Sequence, residues 1–161
     1  MRTFQFLALG TALLLFSGCG GDKGRPKDLP KLHPVSLTIT QEDKPLEGAI
    51  VTVVSKTPTT YSTASGTTDA SGTAKLMTYG FDGVPTGEYA VLVEKRVTEG
   101  AKETTTQEGA SMMVGGQVFQ YVDPKFTKEK DTTLNLSVGN KAVKETYEVG
   151  AAVHELLFNQ D

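Results

Sequence analysis

Period-two alternation of apolar and polar residues is the feature that most constrains the fold of this 161-residue chain. The segments VSLTIT (35–40), TLNLSV (133–138) and VKETYEV (143–149) each place their large apolar side chains at every second position. Successive side chains of a strand point to opposite faces, so this pattern predicts strands with one buried face. Long helical patterns do not occur.

Two further segments predict strands in the interior of a sheet. AIVTVVS (49–55) is apolar on both faces, which predicts a central strand. The segment 87–94 places Tyr89, Val91 and Val93 on one face, and 118–122 is a short additional strand. Short strands separated by turn residues predict an all-β fold: a single antiparallel β-sandwich of about seven strands over residues 35–149.

Turn residues connect these strands. In Asp69-Ala-Ser-Gly72 the aspartate can accept hydrogen bonds from the following backbone amides, and the glycine can adopt the positive φ that closes such a loop. We assign Pro85 and Gly87, in VPTGEY, to a second structural turn.

Two segments fit no strand pattern. Residues 98–116 are polar and rich in threonine, glutamate and glycine, which predicts a long loop over the domain. Within it, Met112 and Met113 could form a flexible apolar contact inside the loop; we favour the alternative that they pack the loop onto the sandwich. Residues 150–161, GAAVHELLFNQD, are a C-terminal tail.

The first residues have the pattern of a targeting segment. Arg2 is followed by an apolar run from Phe4 to Phe16, shorter than the roughly 18 residues of a membrane-spanning helix. Ser17, Gly18 and Cys19 come next, and LLFSGC resembles the lipobox of bacterial lipoproteins. That resemblance implies a signal peptide over residues 1–18, cleavage between Gly18 and Cys19, and acylation of the Cys19 thiol. More than one acyl chain gives stable anchoring.

The resemblance implies residence in the bacterial cell envelope, anchored to a membrane. Gly20 follows the cysteine where an inner-membrane retention signal of some bacteria has aspartate, which favours the outer membrane or a periplasmic face. Residues 19–34, rich in glycine, proline, lysine and aspartate, predict a flexible tether. The alternatives are a plain secretory signal with an accidental cysteine, or a buried cytosolic strand.

The composition argues against a nucleic-acid-binding protein and against a fold that is stabilised by disulfides. The chain has 16 basic and 19 acidic side chains, a formal charge of −3, and loss of Arg2 with the signal makes it −4. A chain with scattered charges and a net negative charge lacks the clustered basic residues that bind the phosphates of nucleic acid. Cys19 is the only cysteine, so disulfides cannot hold the fold together, and a hydrophobic core must do so.

A family resemblance follows from the quoted strands and turns. HPVSLTITQEDKPLEGAIVTVVS, GTTDASGTAKLMTYG, DGVPTGEYAVLVEK and VDPKFTKEKDTTLNLSV are similar in order and spacing to bacterial lipoproteins with a carboxypeptidase regulatory-like domain. The resemblance covers 34–149; segment 98–116 has no counterpart and 150–161 extends past the usual end. It implies a transthyretin-like (prealbumin-like) sandwich acting as a non-catalytic structural or binding module.

Catalytic and metal-binding patterns are weak. His33 and His154 have no metal-spaced partner, which favours two solvated histidines over a zinc site. Arg25 and Arg96 are the only arginines after the signal, too few for the histidine–arginine cluster of a transthyretin-fold hydrolase. No G-x-S-x-G motif occurs. Asp69 alone lacks the six or more oxygens that calcium needs.

Aromatic side chains leave one alternative open. A row of exposed rings forms a sugar-stacking platform, whereas rings that fill the ends of the sandwich do not. The candidates are Tyr61, Tyr79, Phe81 and Tyr121. We favour the filling role.

The sequence therefore predicts a membrane-anchored, non-catalytic envelope lipoprotein without cofactor or metal, whose sandwich binds an envelope protein or glycan or serves structurally. The alternatives are a carbohydrate-binding module and an enzyme, or accessory subunit of one, that uses the loop 98–116 over a cleft.

Overall fold

The computed structural model describes residues 24–105 and 110–159, without the side chains of Met112, Met113 and Asn159. The strands of this part are β1 (Leu32–His33), β2 (Val35–Gln41), β3 (Lys44–Pro45), β4 (Ile50–Ser55), β5 (Thr63–Thr67), β6 (Thr73–Lys75), β7 (Met77–Thr78), β8 (Phe81–Asp82), β9 (Val84–Pro85), β10 (Gly87–Glu94), β11 (Arg96–Glu99), β12 (Lys102–Thr105), β13 (Ser111–Val114), β14 (Gln117–Gln120), β15 (Asn135–Val138), β16 (Val143–Glu148) and β17 (Glu155–Asn159). They outnumber the expected seven because many are only two to four residues long.

The fold is all-β, as predicted. In the described ranges the only helical element is a 3-10 turn at Pro124–Thr127, which begins at Asp123 as N-cap. None of these residues forms a helix of the length and apolarity that a membrane crossing requires.

Two sheets pack against each other as a β-sandwich. The larger has the strand order β15-β10-β4-β5-β7-β8, and the smaller has the order β16-β2-β3, with β6 also paired to β2. All pairs are antiparallel except β16 with β2, whose register joins Val143 to Val35 and Tyr147 to Ile39. The predicted antiparallel sandwich is confirmed with this one exception: after β15 the chain crosses to the smaller sheet and β16 runs parallel to β2.

The core lies between these sheets and matches the predicted alternation. Each of the main strands contributes every second residue, and the fully buried side chains include Leu37, Ile39, Val51, Val53, Val91, Val93, Leu136 and Val138. Leu134, Val143 and Tyr147 pack against its edge. Removal of this apolar surface from water is the main favourable term that holds the domain together without disulfides.

The strand β4 is central, as predicted, but it is buried on one face only. Val51 and Val53 are fully buried, whereas Ile50 is 48% exposed. A sheet in a two-layer sandwich has one face against the core and the other against solvent, so an apolar residue on the outer face stays exposed.

The turn at Asp69 has the predicted geometry. Asp69 Oδ1 accepts hydrogen bonds from the backbone N–H groups of Ser71 and Thr73 and from the Ser71 hydroxyl, which lowers the pKa of this carboxyl. Gly72 has a φ of +74°. Pro85 ends β9 and Gly87 begins β10, and the chain bends at Thr86 between them.

Segments 98–116 and 150–161 were expected to be loop and tail, and both contain strands. Strands β11, β14 and β17 form a three-stranded sheet, here called the accessory sheet, and β12 pairs with β13 as a hairpin. Paired edges satisfy the backbone hydrogen bonds of these polar segments, so they need little apolar content to form strands.

The segment 19–34 was expected to be a flexible tether, and its second half is part of the domain. Leu29 and His33 are buried, and Leu32–His33 pairs with Val84–Pro85. Arg25 Nη2 donates to the carbonyl of Pro30, and the guanidinium lies 5.8 Å from the centre of the Phe81 ring. The domain therefore begins before residue 35. The predicted signal peptide (1–18), Gly18 and Cys19 lie outside the described residues.

Candidate functional site

The accessory sheet continues the sandwich at the far end of β10. After Lys95 the chain enters β11, and the N–H of Tyr121 donates to the Lys95 carbonyl at 2.9 Å. Gln41 Nε2, from the smaller sheet, donates to the carbonyl of Tyr121 at 2.9 Å. The accessory sheet is thus attached to both sheets of the sandwich at the residue that follows β14.

One face of the accessory sheet carries a cluster of four side chains, here called the Glu99 cluster: Glu99, Phe119, Tyr121 and His154. The Tyr121 hydroxyl donates to Glu99 Oε1, and His154 Nε2 lies 3.2 Å from the same oxygen. The imidazole stacks on Phe119 with ring centres 4.0 Å apart and meets Tyr121 edge-on at 5.2 Å. These contacts bring together residues that are up to 55 positions apart.

The electrostatics of the Glu99 cluster follow from its hydrogen bonds. The bond from Tyr121, and then the contact with His154, lowers the pKa of Glu99. The same bond raises the pKa of Tyr121, because ionised tyrosine would face a carboxylate. Glu99 is 42% and His154 is 51% exposed, so the cluster lies on an open surface.

A histidine–carboxylate pair is one component of a nucleophilic or acid–base centre. In the described part of the chain no serine, threonine or cysteine is hydrogen-bonded to His154, and its partners are Glu99 and two aromatic rings. The arrangement fixes the segment before β17 onto β11 and β14. It explains how the chain holds its C-terminal strand.

The other face of the accessory sheet borders a groove of about 210 Å³, here called the Gln120 groove. Its lining includes Arg96, Gln120, Thr127, Lys128, Glu155 and Leu157. Gln120 is only 2% exposed, and neither its amide nitrogen nor its amide oxygen has a hydrogen-bond partner among the described residues. Buried polar groups are nearly always hydrogen-bonded, so this side chain is exceptional.

Strand register places Gln120 between two charged side chains. It lies opposite Arg96 on β11 and opposite Glu155 on β17. Arg96 forms an ion pair with Glu94, whereas Lys128 and Glu155 have no ion-pair partner within residues 24–105 and 110–159. The rim of the groove thus combines a neutralised pair with one free cation and one free anion.

The outer strand of the accessory sheet exposes three consecutive apolar residues. Leu156, Leu157 and Phe158 are 46%, 40% and 49% exposed. β17 pairs with β14 on one side only, so its second edge is unpaired within the described sheet. Exposed apolar side chains on an edge strand are typical of a surface that makes contacts.

A second groove, of about 480 Å³, lies at the opposite end of the sandwich and is lined by Lys31, Thr57, Tyr61, Glu88 and neighbouring residues. Tyr61 is 8% exposed and donates to Asp28 Oδ1 at 2.8 Å, which ties the N-terminal segment to the sandwich. Tyr79 is 65% exposed, and its ring meets that of Tyr61 at 81°.

These positions decide between the two aromatic hypotheses for this end of the domain. Tyr61 fills the end of the sandwich, and its edge-on contact with Tyr79 is not a flat stacking row. Phe81 is half-buried under Arg25. Tyr121 lies in the accessory sheet, so the four candidate rings do not form one platform.

The histidines differ from the prediction of two solvated side chains. His33 is 4% exposed and lies in β1, which pairs with β9, while His154 is exposed but belongs to the Glu99 cluster. Residues 24–105 and 110–159 contain no group of three or more potential metal-binding side chains. Glu99 and Gln120 were not singled out from the sequence, since neither stands in a recognisable motif.

No protein-family model and no curated protein matches the chain. Two solved structures are similar at low identity. The major pilin subunit BcpA of Bacillus cereus is 17% identical with a TM-score of 0.40, over 83% of this chain and 31% of the pilin. A 9R-lipoxygenase from Cyanothece is 14% identical with a TM-score of 0.28, over 74% of this chain and 16% of the enzyme. The chain spans less than a third of either protein.

Proposed function

We propose that the chain is a non-catalytic lipoprotein of the bacterial cell envelope, anchored through a lipid on Cys19, and that its sandwich presents the accessory sheet as a binding surface away from the membrane. Support for the anchor is the order of an apolar run, small residues and Cys19 in the sequence.

The observation that carries the proposal is the position of the two ends of β10. The N-terminal segment pairs with Val84–Pro85, directly before β10 begins at Gly87. The accessory sheet begins at Arg96, directly after β10 ends at Glu94. Eight residues of strand separate these ends by about 25 Å. The anchor side and the Gln120 groove therefore lie at opposite ends of one strand.

The path from the lipid to the domain is short. Arg25 already contacts Pro30 and Phe81. The six residue-to-residue steps from Cys19 to Arg25 span at most about 20 Å in any conformation. The end of the sandwich with Tyr61 and Lys31 is thus held near the membrane, and the accessory sheet faces outward.

The proposed binding surface is the accessory sheet. It combines an exposed apolar edge at β17 with the Gln120 groove, and function of this kind is commonly carried by peripheral elements on a rigid scaffold. The Glu99 cluster lies on an open surface without a bonded nucleophile in the described residues, which favours a structural role for it over catalysis.

The anchor is tested by Cys19→Ser in the bacterium of origin. We expect the wild type in the membrane fraction, with a mass matching cleavage before Cys19 plus acyl chains, and the variant in the soluble fraction. Ser17→Thr, next to the cleavage site but not at the acylated residue, is the matched control. An unmodified Cys19 thiol in native material would refute the anchor.

The orientation is tested separately with single thiol labels. Since Cys19 is the only cysteine and its sulfur is acylated under the proposal, Lys31→Cys and Thr98→Cys each introduce one free thiol at an exposed position. With the protein in vesicles that contain a lipid-bound quencher, we expect a fluorophore at position 31 to be quenched more strongly than one at 98. Equal quenching would contradict the proposed presentation.

A further inference from the structure

We propose that the Gln120 groove binds the carboxamide group of a glutamine- or asparagine-type ligand, either as the free amino acid or as a side chain of a short peptide. This inference rests on the proposed binding role of the accessory sheet and names the chemistry of its ligand.

The first observation is the state of Gln120 itself. Its nitrogen and oxygen are the only buried side-chain polar atoms without a partner among the described residues. The residue lies in the middle strand of three, with Arg96 and Glu155 as its register partners on either side. It also lines the groove, and because both amide atoms are buried, a ligand meets them after a local movement of the groove wall.

The unmet hydrogen bonds select the chemistry of the ligand. A primary amide offers a donor and an acceptor in one plane, and a second amide meets both with two parallel hydrogen bonds. A carboxylate would satisfy the nitrogen and leave the oxygen facing negative charge, and an ammonium group would do the reverse. A primary amide therefore satisfies both atoms of Gln120 with one planar group, which neither charged group can do.

The rim and the size of the groove agree with a small ligand of zero net charge. Lys128 and Glu155 offer one cation and one anion, and the Arg96–Glu94 pair is already neutralised. Such a rim suits the carboxylate and the amino group of an amino acid. A volume of about 210 Å³ holds a single amino-acid residue and lies below the usual range of roughly 300–1,000 Å³ for larger ligands.

The test follows the side-chain NH₂ signals of Gln120 by NMR in the ¹⁵N-labelled full chain, purified in detergent. The signals are identified by their loss in Gln120→Met. The probes are L-glutamine, L-asparagine and the tripeptide Gly-Gln-Gly, with L-glutamate and L-leucine as controls. We expect saturable shifts with at least one carboxamide probe and none with the two controls. Response to the amino acids alone identifies a free ligand, and response to the tripeptide identifies a peptide.

Variants separate binding from folding. Gln120→Met keeps the length of the side chain and removes its polar atoms, so we expect at least tenfold weaker binding with an unchanged or higher Tm, because no hydrogen bond is lost. Since this variant lacks the Gln120 side-chain signals, its binding is followed through the backbone amide signals of Thr127 and Lys128, which line the groove. Lys128→Met should weaken binding of the free amino acid severalfold. Lys125→Met is the matched control: Lys125 pairs with Asp123 and does not line the groove, so binding should persist.

Three results would overturn the inference. The first is the absence of saturable shifts with every carboxamide probe up to about 10 mM, which would mean that only water hydrogen-bonds to Gln120. The second is binding of L-glutamate as tight as that of the carboxamide probes. The third is unchanged binding in Gln120→Met. The proposed function is judged independently, because Gln120→Met leaves Cys19 and the membrane fractionation untouched.

Discussion

The sandwich and the accessory sheet are made of the same kind of strand but bury very different surfaces. In the sandwich, β2 and β10 bury every second residue, and Leu37, Val91 and Val93 are fully inaccessible. Among the side chains of the accessory sheet that the structure describes, Val118 and Gln120 are the buried ones, and β17 exposes its apolar side chains. The sandwich therefore supplies most of the buried apolar surface that stabilises the fold, and the accessory sheet supplies little of it.

The largest expected difference between the two regions comes from one substitution made in each. Leu37→Ala removes a fully buried side chain and leaves a cavity, so it should lower the free energy of unfolding by about 2–5 kcal/mol. Leu157→Ala removes a side chain that is 40% exposed on the edge strand, so its effect should stay within about 0.5 kcal/mol. Urea denaturation measures both. Similar losses would show that the accessory sheet belongs to the cooperative core.

Two glycines with nearly the same φ sharpen the comparison. Gly72 and Gly100 have φ values of +74° and +71°, but a Cβ on Gly72 would lie 2.6 Å from the Ile39 carbonyl oxygen, whereas a Cβ on Gly100 would have no neighbour within 4 Å. Gly100→Ala should therefore lose about 1 kcal/mol of stability through its left-handed conformation alone. Gly72→Ala adds a backbone clash and should lose at least about 2 kcal/mol. Equal losses of stability in thermal or urea unfolding would contradict the predicted clash between a Cβ at position 72 and the Ile39 carbonyl oxygen.

The sequence predicts the sandwich better than the accessory sheet for a physical reason. A strand with one buried face must alternate, so VSLTIT and TLNLSV show their orientation directly. The turn at Asp69 is also readable, because its hydrogen bonds join neighbouring residues. Local chemistry and burial leave a pattern in the sequence.

The candidate site leaves no such pattern. Strands β11 and β17 bury little apolar surface and are held in the sheet by backbone hydrogen bonds. Their sequences therefore show no apolar alternation, and the pattern of 98–116 predicts a loop instead. The partners of Gln120 and Glu99 are set by register between distant segments, which one sequence does not reveal. The sequence of the N-terminal segment likewise does not reveal that it belongs to the domain. Its buried residues Leu29 and His33 are isolated among prolines and lysines and form no alternating pattern.

A smaller effect is expected when the connection within the accessory region is shortened. Glu99 is paired with Gln117, so replacing residues 100–116 by Asn-Gly would join β11 to β14 through a two-residue hairpin turn. The free energy of unfolding should change by less than about 1 kcal/mol, because the closing entropy of a loop depends weakly on its length and the hairpin β12–β13 adds no core residue among those described. Loss of a single cooperative transition in urea would place this segment in the core.

The smallest expected effect is an acid loosening of β17 that spares the sandwich. Hydrogen bonds from Tyr121 and His154 lower the pKa of Glu99, so the stability they contribute is present above the ordinary glutamate value of about 4.3 and is lost as pH falls through the lower folded value. Amide hydrogen exchange at β17, corrected for its intrinsic pH dependence, should accelerate over this window more than exchange at β10. Glu99→Gln is the matched control, since the amide oxygen still accepts from Tyr121 but does not titrate in this range. If the same acceleration at β17 persists in Glu99→Gln, another group holds the C-terminal strand to the accessory sheet.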